Sequence, residues 1–565
     1  MTSSLYDLSV SSVISCYQTL KKINDLAMLP NNILFDIYYM LYSKEKLCEL
    51  GIEFSDLNTF TRMLKVTNKR IQLLRSFQAV IDHGKHVHKT LTMNYLLRRT
   101  FETQNKISFI NLGIRLGGFL SEAGWFAESE RVLSECLNVC LELPPSVEAW
   151  RYTLQCCHKL LYAQAIFSMV QKSQMTQKLA EELVEKLKAQ GQTINLASLY
   201  TLFSFSAYCM SNYDESYRWS VEAIKQLDAG VSARITIDTM CQASRACVLK
   251  REFTKAGILV RQAVSLARDT FGKEHLRFAD TLHDYGFYLM NSDSIKDSVR
   301  VYETALNLKK AVFGPNNLHV AIAQEDMAYA LYVHEYSSGH FAIARDQAEK
   351  AISTMTALLP PDHLMLAAAQ RVKALILEEI ALDSEPGTDY PEAGLLNEAE
   401  SLHKNALKLS ISVYGEYNVQ TAKHYGNLGR LYQSMKKFEE AEMMHLKAIA
   451  IKEKLLGMED YEVGLSVGHL ASLYNYHMKQ FRKAEQLYFR SISINIKLFS
   501  ETYSGLEYDY RGLIHVYEKM GETEKQADYT LILSAWKDLR EHLKEAQPLV
   551  IAELQPLEEI KKIFA

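Results

Sequence analysis

A pattern of small and aromatic residues recurs along this chain about every 42 residues. Two stretches carry the whole pattern: NLGRLYQSMKKFEEAEMMHLKAIAIKEKLLG from Asn427 and HLASLYNYHMKQFRKAEQLYFRSISINIKLF from His469. The patterned positions are Gly429, Tyr432, Phe438, Ala441 and Ala448 in the first copy, and Ala471, Tyr474, Phe481, Ala484 and Ser491 in the second. A fixed period of this length is the sequence signature of a repeat architecture.

The second half of the pattern occurs in eight copies, each an apolar residue followed three and ten residues later by small ones. The apolar positions are Phe126, Tyr213, Phe253, Ile295, Phe341, Leu396, Phe438 and Phe481. Their successive spacings are 87, 40, 42, 46, 55, 42 and 43 residues. The first spacing, 87 residues, is about two periods long and therefore predicts a degenerate unit near 155–190. The 55-residue spacing predicts an exposed loop insertion in the polar stretch 383–392.

This spacing predicts pairs of helices that stack on one another. Small residues let the first helix of a unit (helix A) approach the second (helix B), and aromatics fill the space between units. Because one pair cannot bury its apolar face alone, the units stack into a superhelix. Only 10 prolines and 24 glycines interrupt the chain, and proline breaks helix interiors. We therefore predict an all-α superhelical solenoid over 111–535, with about nine or ten units.

The segments outside the solenoid are predicted to be helical as well. Residues 1–50 hold two short boxes, and 51–110 form a helical N-terminal segment. Residues 536–565 are predicted to form a helical cap or tail, because a terminal repeat needs a cap. Binding of a partner by this tail is the open alternative.

Composition excludes several classes of function. The net charge of −4 gives no positive field to attract nucleic acid, and no apolar run approaches the ~18 residues of a spanning helix. The N-terminus lacks the basic and apolar regions of a signal peptide. Nine cysteines without a CxxC pair suit a reducing compartment, with free thiols packed in the core. These features predict a soluble intracellular protein.

No residue pattern for catalysis or cofactor binding is found. The sequence lacks the glycine-rich phosphate loops, the GxSxG nucleophile pattern and the HExxH zinc pattern. His83, His86 and His88 have no cysteine or carboxylate partner at ligand spacing, which favours a polar helix end or loop over a metal site. We predict no enzyme activity, no cofactor and no metal.

Two short elements near the N-terminus follow a different pattern from the repeat. Leu5, Ser9 and Val13 are spaced i, i+4 and i+8, so that a helix places them on one face. Leu29, Pro30, Ile33 and Ile37 form the second element, in which Pro30 stands where a helix begins. An amphipathic helix that caps the solenoid would explain the first element equally well.

These patterns resemble known proteins. The repeat resembles tetratricopeptide repeats in the form found in kinesin light chains, over about 111–530. The first N-terminal element resembles an elongin C-binding box, with serine where cysteine is usual, and the second resembles the box that selects cullin 2. Longer stretches such as LPNNILFDIYYMLY and VQTAKHYGNLGRLYQSM resemble a family of amyloid-binding repeat proteins that act as substrate receptors of cullin 2–elongin B/C ubiquitin ligases.

The resemblance implies a set of partners. Leu5, Ser9 and Val13 would bind elongin B/C through elongin C, while Leu29, Pro30, Ile33 and Ile37 would bind cullin 2, which brings its RING subunit. Substrates would carry degrons with arginine and glycine near their C-termini. The resemblance also implies binding of the amyloid precursor protein tail, association with microtubules or membranes, and a cytoplasmic and nuclear location. A homodimer is left open.

Two other functions are compatible with the same sequence. A cargo or sorting adaptor would link membrane-protein tails to microtubules and would also bind peptides in the groove. Kinesin light chains, however, carry a heptad coiled coil before their repeats, and residues 1–110 show no sustained heptad pattern. A purely structural solenoid would leave the two N-terminal boxes unexplained.

The repeat register also predicts a concave face that binds peptides. Its candidate residues are Asp238, Asp280, Asp284, Glu325, Asp326, Tyr329, Glu378, Lys423, Asn427, Arg430 and His469. Paired carboxylates in the middle of the groove suit bidentate capture of a guanidinium. The basic and polar residues that follow suit a chain-terminal carboxylate or a peptide backbone. The alternative interpretation is a solvated charged face.

Overall fold

The computed structural model describes residues 5–15, 17, 25–101, 105–336, 338–383, 392–543 and 553–564. Every regular element within these ranges is helical, which confirms the predicted all-α class. The α-helices are α1 (Leu5–Ser15), α2 (Asn31–Ser43), α3 (Leu47–Ser55), α4 (Leu57–Leu64), α5 (Arg70–Asp82), α6 (Val87–Phe101), α7 (Lys106–Glu122), α8 (Phe126–Leu141), α9 (Val147–Ile166), α10 (Val170–Ala189), α11 (Ala197–Cys209), α12 (Tyr213–Lys225), α13 (Ala233–Leu249), α14 (Phe253–Phe271), α15 (Leu276–Asn291), α16 (Ile295–Phe313), α17 (Leu318–Glu335), α18 (Ala342–Leu358), α19 (Met365–Asp383), α20 (Glu392–Tyr414), α21 (Val419–Ser434), α22 (Phe438–Leu456), α23 (Tyr461–Ser472), α24 (Phe481–Phe499), α25 (Leu506–Met520), α26 (Thr523–Leu543) and α27 (Leu557–Lys562).

Helices α7 to α26 form ten consecutive antiparallel pairs, which we number units 1 to 10. Each pair packs against the next, so the helices build one continuous solenoid. Unit 2 consists of α9 and α10 and occupies the region where the spacing predicts a degenerate repeat. In unit 9, a five-residue π-helix at Leu473–His477 continues α23 before the turn.

Close approach of helix A to helix B explains the glycines in the pattern. A Cβ atom added to Gly286 would lie 2.8 Å from the ring of Tyr302, and one added to Gly429 would lie 2.9 Å from the ring of His445. Such distances are far inside van der Waals contact, so the large side chain of helix B fills the space that glycine leaves on helix A.

The turn between helix A and helix B has the same backbone conformation in most units. One residue of the turn takes a left-handed conformation, which helix C-termini often use. The residues with positive φ at these turns are Gly124, Ser168, Ser211, Arg251, Asp293, Lys436, Lys479 and Gly521. The repetition of this turn keeps the angle between helices similar from unit to unit.

Successive turns of the superhelix touch each other every five units. The A–B turn of units 1 to 5 meets the start of helix A in units 6 to 10. The contacts are Ala123 with Asn317, Phe167 with His363, Met210 with Asn418, Arg251 with Asp460, and Asp293 with Ser504. We call this row of contacts the seam. Because the seam joins one turn to the next, the wall of the superhelix is closed on its sides.

The N-terminal helices extend the same arrangement. Phe60 and Phe77 pack against Phe119 of unit 1 at ring distances of 5.2 and 4.9 Å. Gln78 of α5 donates to the backbone oxygen of Asn316, at the end of unit 5, over 3.3 Å. Helix α5 therefore packs against the end of unit 5.

The C-terminal residues pack in two places. Helix α26 ends at Leu543, beyond the predicted boundary at 535, because Trp536 is buried and its indole donates to the backbone oxygen of Tyr503. The segment 553–564 then packs on unit 4, where the Gln262 amide both donates to the backbone oxygen of Glu553 and accepts from the backbone nitrogen of Gln555. No helix among the described residues has the length and apolar character needed to cross a membrane.

Candidate peptide-binding interior

Helix A of each unit contributes to the inner wall of the superhelix. Side chains from non-adjacent units meet on this wall. Arg430 of unit 8 donates to the hydroxyl of Tyr332 of unit 6 over 2.9 Å, and the rings of Tyr208 in unit 3 and Phe287 in unit 5 are 6.3 Å apart. Because these contacts skip a unit, the A helices converge, and their shared face is concave.

Units 4 to 6 carry the predicted carboxylates, and each has a basic partner. Arg277 donates to both oxygens of Asp238 at 2.7 and 3.0 Å. Arg245 pairs with Asp284, which is buried. The other pairs are Lys309 with Asp280, His283 with Asp326, and Arg371 with Glu325. The chain's own side chains thus already contact the carboxylates predicted to capture a peptide guanidinium.

Glu325 and Asp326 are neighbouring carboxylates, and Glu325 has the more distant basic partner. Its oxygen lies 3.6 Å from Arg371, beyond hydrogen-bond distance, whereas Asp326 accepts from His283 at 3.0 Å. Burial and the charge of Asp326 raise the pKa of Glu325 to about 8. Burial opposes the ionisation of Asp326 too, yet His283 holds the pKa of Asp326 below its usual value. Once ionised, Glu325 can therefore accept a cation without first breaking a strong ion pair.

Arg371 lies over the ring of Tyr329, 5.0 Å from its centroid. A guanidinium over an aromatic face is attracted by the ring quadrupole. The predicted binding residue Tyr329 therefore has a cation stacked on it already, next to Glu325. The pair shows that this part of the wall accommodates a guanidinium group.

Units 7 to 9 carry two buried charge networks. Arg430 donates to Glu378 at 2.8 and 3.2 Å, and the Ser434 hydroxyl donates to the other oxygen of Glu378 at 2.8 Å. Lys423 and Lys452 both contact Glu462, at 2.9 and 3.1 Å. Arg430 also lies 3.6 Å from Glu379. The four cations of this part, including Arg371, face three carboxylates, so it is slightly basic.

Histidines occupy the space around the second network. His403 and His445 are fully buried, and neither ring nitrogen of either has a hydrogen-bond partner among the described residues. Burial lowers the pKa of His424 and of His445 to about 3. Burial also holds the pKa of His469 well below its usual value. His469 is therefore neutral at pH 7 and can contact a peptide only as an uncharged group.

The predicted residue Asn427 also lies on this wall. It is half-buried on α21, three residues before Arg430 and four after Lys423. On a helix this spacing places all three on one face. The amide of Asn427 thus stands between the two basic side chains and can bond to a peptide backbone.

The elongin-type box lies far from this wall, on α1. Leu5 is 83% exposed and Leu8 is 56% exposed, while Val10 and Ile14 on the opposite side are buried in the N-terminal core. Ser9 is exposed, and its hydroxyl donates to the Leu5 backbone oxygen over 2.8 Å. The helix is therefore anchored by one face and leaves the box leucine in solvent.

Only part of each box is accessible. Val13 is half-buried and packs against the core. In the second box, Pro30 is exposed, Leu29 and Ile33 are half-buried, and Ile37 is 1% exposed. Ile37 therefore holds α2 in the core and has no surface to offer a partner. Among the box residues, Leu5, Ser9 and Pro30 are the exposed ones.

Sequence reasoning missed the cations that pair with the carboxylates. With Ser244 aligned to Gly286, Arg245 falls at the inward position next to it. Arg371 stands at the equivalent of an inward position when Ala374 is aligned in the same way. Continuing the register through every unit would have identified both. Arg277 lies before the first patterned position, and no signal in the repeat identifies it.

A family model and solved structures are similar to parts of this chain. The tetratricopeptide-repeat family model matches residues 387–454. A putative kinesin light chain from Podosopora anserina aligns with a TM-score of 0.29 and 17% identity, covering 40% of this chain and 97% of that one. A Rap protein complexed with competence and sporulation factor aligns with a TM-score of 0.49 and 10% identity, covering 69% and 98%. The chain is a tetratricopeptide-repeat protein, a class that binds other proteins.

The relatives then define the family. Amyloid protein-binding protein 2 from Mus musculus and that from Rattus norvegicus are each 48% identical to this chain over 567 residues. Each alignment covers 99% of this chain and 96% of the relative. The chain belongs to the amyloid protein-binding protein 2 family, and the resemblance seen in the sequence is confirmed.

Proposed function

We propose that this chain is the substrate-recognition subunit of a cullin 2–elongin B/C ubiquitin ligase. The observation that carries the proposal is the exposed leucine face of α1. Leu5 and Leu8 lie in solvent on a helix whose other face is buried, so the apolar surface is available to a partner. A helix that only capped the solenoid would bury these leucines, since exposed apolar area is unfavourable.

The arrangement around Leu5 fits a helical docking partner. Tyr6 donates to Asp36 of α2 over 2.8 Å, and Lys44 donates to Ser11 over 2.5 Å, so α1 is fixed against α2. A leucine on a rigid helix loses little entropy when it enters a pocket. Ser9, one turn after Leu5, is small enough to allow close approach of a partner backbone. The exposed Pro30 lies immediately before α2, where a second subunit can bind beside the first.

Co-purification with elongin B/C and cullin 2 tests this role. Leu5→Ser removes the exposed leucine and is expected to abolish recovery of both elongin B/C and cullin 2. Pro30→Ala combined with Ile33→Ala is expected to lose cullin 2 and keep elongin B/C. Leu531→Ser is the matched control, because Leu531 is 70% exposed on α26, outside the boxes.

Thermal denaturation of each variant accompanies the co-purification, because Ile33 also packs on the core. Leu5 makes little contact with the fold, so Leu5→Ser should melt with the wild type. If the wild type brings down neither partner, or if Leu5→Ser behaves as Leu531→Ser does, the ligase role is wrong.

We propose further that the interior binds the degron of the substrate. The wall of units 4 to 6 has five carboxylates facing four cations, Arg234, Arg245, Arg277 and Lys309, while units 7 to 9 are slightly basic. A peptide that carries an arginine before its terminal carboxylate matches this polarity. Because the seam closes the sides, a chain end enters the interior more readily than an internal segment. Both features favour recognition of a C-terminal degron.

The pH dependence of peptide binding tests the part played by Glu325. Its pKa of about 8 means that the carboxylate forms as the pH rises through 8, while a peptide arginine stays charged. We expect an N-acetylated peptide with arginine and glycine near its free C-terminus to bind roughly tenfold more tightly at pH 9 than at pH 7. Calorimetry at the two pH values measures the change, and Glu325→Gln should remove it.

The controls separate binding from stability. Because the pKa of Glu325 is raised by folding, its ionisation lowers the free energy of unfolding as the pH rises from about 4.5 through 8. Circular dichroism at each pH therefore accompanies the calorimetry. Glu459→Gln, at an exposed pair with Lys497, should leave the pH dependence unchanged. A pH-dependent gain that persists in Glu325→Gln would assign the effect to another group.

A cargo adaptor is the second candidate function. The relatives' name describes binding of an amyloid protein, and the same interior can hold the tail of a membrane protein. This role would place the chain at microtubules or membranes, whereas the ligase role places it in the cytoplasm and nucleus. A chain that passes the peptide test and fails the elongin test would favour the adaptor.

A further inference from the structure

Three thiols meet in the core of units 1 and 2. Cys136 and Cys140 are one turn apart on α8, and Cys156 lies on the facing helix α9. Their sulfur atoms all lie within 4.8 Å of one another. The exposed fractions of the three residues are 0%, 2% and 0%. The three sulfurs therefore form one closed cluster without contact to solvent.

The surroundings of the cluster are largely apolar. The Cys136 thiol donates to the backbone oxygen of Ile110 and the Cys156 thiol to that of Leu133, both over 3.4 Å. Tyr95 is fully buried beside them, and its hydroxyl donates to the backbone oxygen of Phe109 over 3.2 Å. Among the described residues, no further histidine, cysteine or carboxylate joins the group. The site thus offers three sulfur donors and no charged ligand.

We propose that Cys136, Cys140 and Cys156 form a three-coordinate binding site for a soft thiophilic ion, Cu(I). Thiolate sulfur selects soft ions such as Cu(I) over hard ones such as Mg(II) and Ca(II). Zn(II) also binds thiolates, but its structural sites are almost always four-coordinate. Three donors in a dry cluster match Cu(I), which accepts three-coordinate geometry.

The charge of the site limits how many thiol protons are released when Cu(I) binds. The ion replaces the proton of one thiol without changing the charge of the site, and that proton passes to the buffer. Each further thiol that ionises adds one negative charge to an apolar core, which is costly. No electron is transferred, because the copper enters and stays as Cu(I). We therefore expect fewer than three protons to be released for each ion bound.

Anaerobic titration of the full-length chain with Cu(I) tests the site. Every protein tested carries Cys16→Ala and Cys48→Ala. Cys48 is replaced because it lies 3.4 Å from the imidazole of His83, where the two side chains could bind the ion at the surface. Cu(I) is supplied both by incubation with the folded chain and during expression in copper-supplemented medium. A chromophoric chelator competes for the ion and reports the affinity. We expect one Cu(I) per chain, with an X-ray absorption spectrum of three sulfur ligands.

Alanine variants locate the site. Cys136→Ala, Cys140→Ala and Cys156→Ala should each weaken Cu(I) binding by at least roughly 100-fold, since loss of a ligand exceeds loss of an outer contact. Cys241→Ala and Cys247→Ala are matched controls, because both thiols are buried on α13 outside the cluster. Circular dichroism confirms that the variants are folded.

Three results would overturn the proposal. These are failure to bind Cu(I) by both routes, equal loss in the control variants, and a spectrum with two sulfur ligands. A competition with Zn(II) under the same conditions provides a further arm. If Zn(II) displaces Cu(I), the assignment of the ion is wrong.

Discussion

Replacing Arg430 with methionine is expected to lower the free energy of unfolding by about 3–5 kcal/mol. Glu378 is 1% exposed, and Arg430 supplies two of its hydrogen bonds. Without the guanidinium, a buried carboxylate keeps only the Ser434 hydroxyl as its partner. Methionine retains much of the arginine stem volume, so loss of charge pairing dominates the effect. Urea denaturation followed by far-ultraviolet circular dichroism measures the change.

A double-mutant cycle separates the pair from its surroundings. Glu378→Met in the Arg430→Met background removes the unpaired charge and should restore most of the lost stability. Arg300→Met is the control, because Arg300 pairs with Asp297 at the surface and the change should cost less than about 1 kcal/mol. Equal losses in Arg430→Met and Arg300→Met would show that the interior pair is solvated.

The same pair bears on the peptide binding that we propose for the interior wall. Paired charges fix the side chains, so the wall holds a rigid pattern of donors and acceptors. Arg430 joins units 7 and 8 through Glu378 and reaches Tyr332 of unit 6. A peptide that competes for one of these groups disturbs three units together. Part of the free energy of peptide binding would therefore be used to displace contacts that the wall already makes.

The repeat period predicted the helices but not their superhelical turn. Small residues at fixed spacing identify which faces of helices A and B touch, as at Gly286 and Gly429. The five-unit turn depends on the small rotation between neighbouring units, which accumulates along the solenoid. No pattern in one unit encodes the partner of Ala123 almost 200 residues away. The seam therefore could not be predicted from the period.

One local irregularity was visible in the sequence. The distance from Gly429 to Phe438 is nine residues, whereas the distance from Ala471 to Phe481 is ten. The additional residue is accommodated in the π-helix at Leu473–His477, since a π-turn holds one residue more than an α-turn. The spacing shows the additional residue, but the conformation of this residue depends on the packing of the neighbouring helices.

The N-terminal boxes show what residue spacing predicts and what it does not. Leu5, Ser9 and Val13 were placed on one face, but a residue every four positions drifts around a helix with 3.6 residues per turn. Leu5 therefore faces solvent while Val13 is half-buried. In α2 the same spacing carries Ile37 into the core. Spacing identified the helices, and only packing decided which members are free to bind.

Replacing Asn317 with alanine is expected to lower the free energy of unfolding by about 2–4 kcal/mol and to open the first contact of the seam. Asn317 is 1% exposed. Its oxygen caps α17 by accepting from the backbone nitrogen of His319 at 2.9 Å, and its amide donates to Gln78 and Ala123 at 3.0 and 2.8 Å. Alanine loses the cap and leaves two buried acceptors unpaired.

Hydrogen exchange distinguishes an open seam from a general loss of stability. Amides around Ala123 and at the start of α17 should exchange faster in Asn317→Ala, while those of units 8 and 9 keep their protection. Asn105→Ala is the matched control, since Asn105 caps α7 through the backbone nitrogen of Ser108 and, among the described residues, forms no hydrogen bond across the seam. That control should cost only about 1 kcal/mol. Equal effects of the two variants would mean that Asn317 acts as a cap alone, and that the closure of the superhelix rests on its other four contacts.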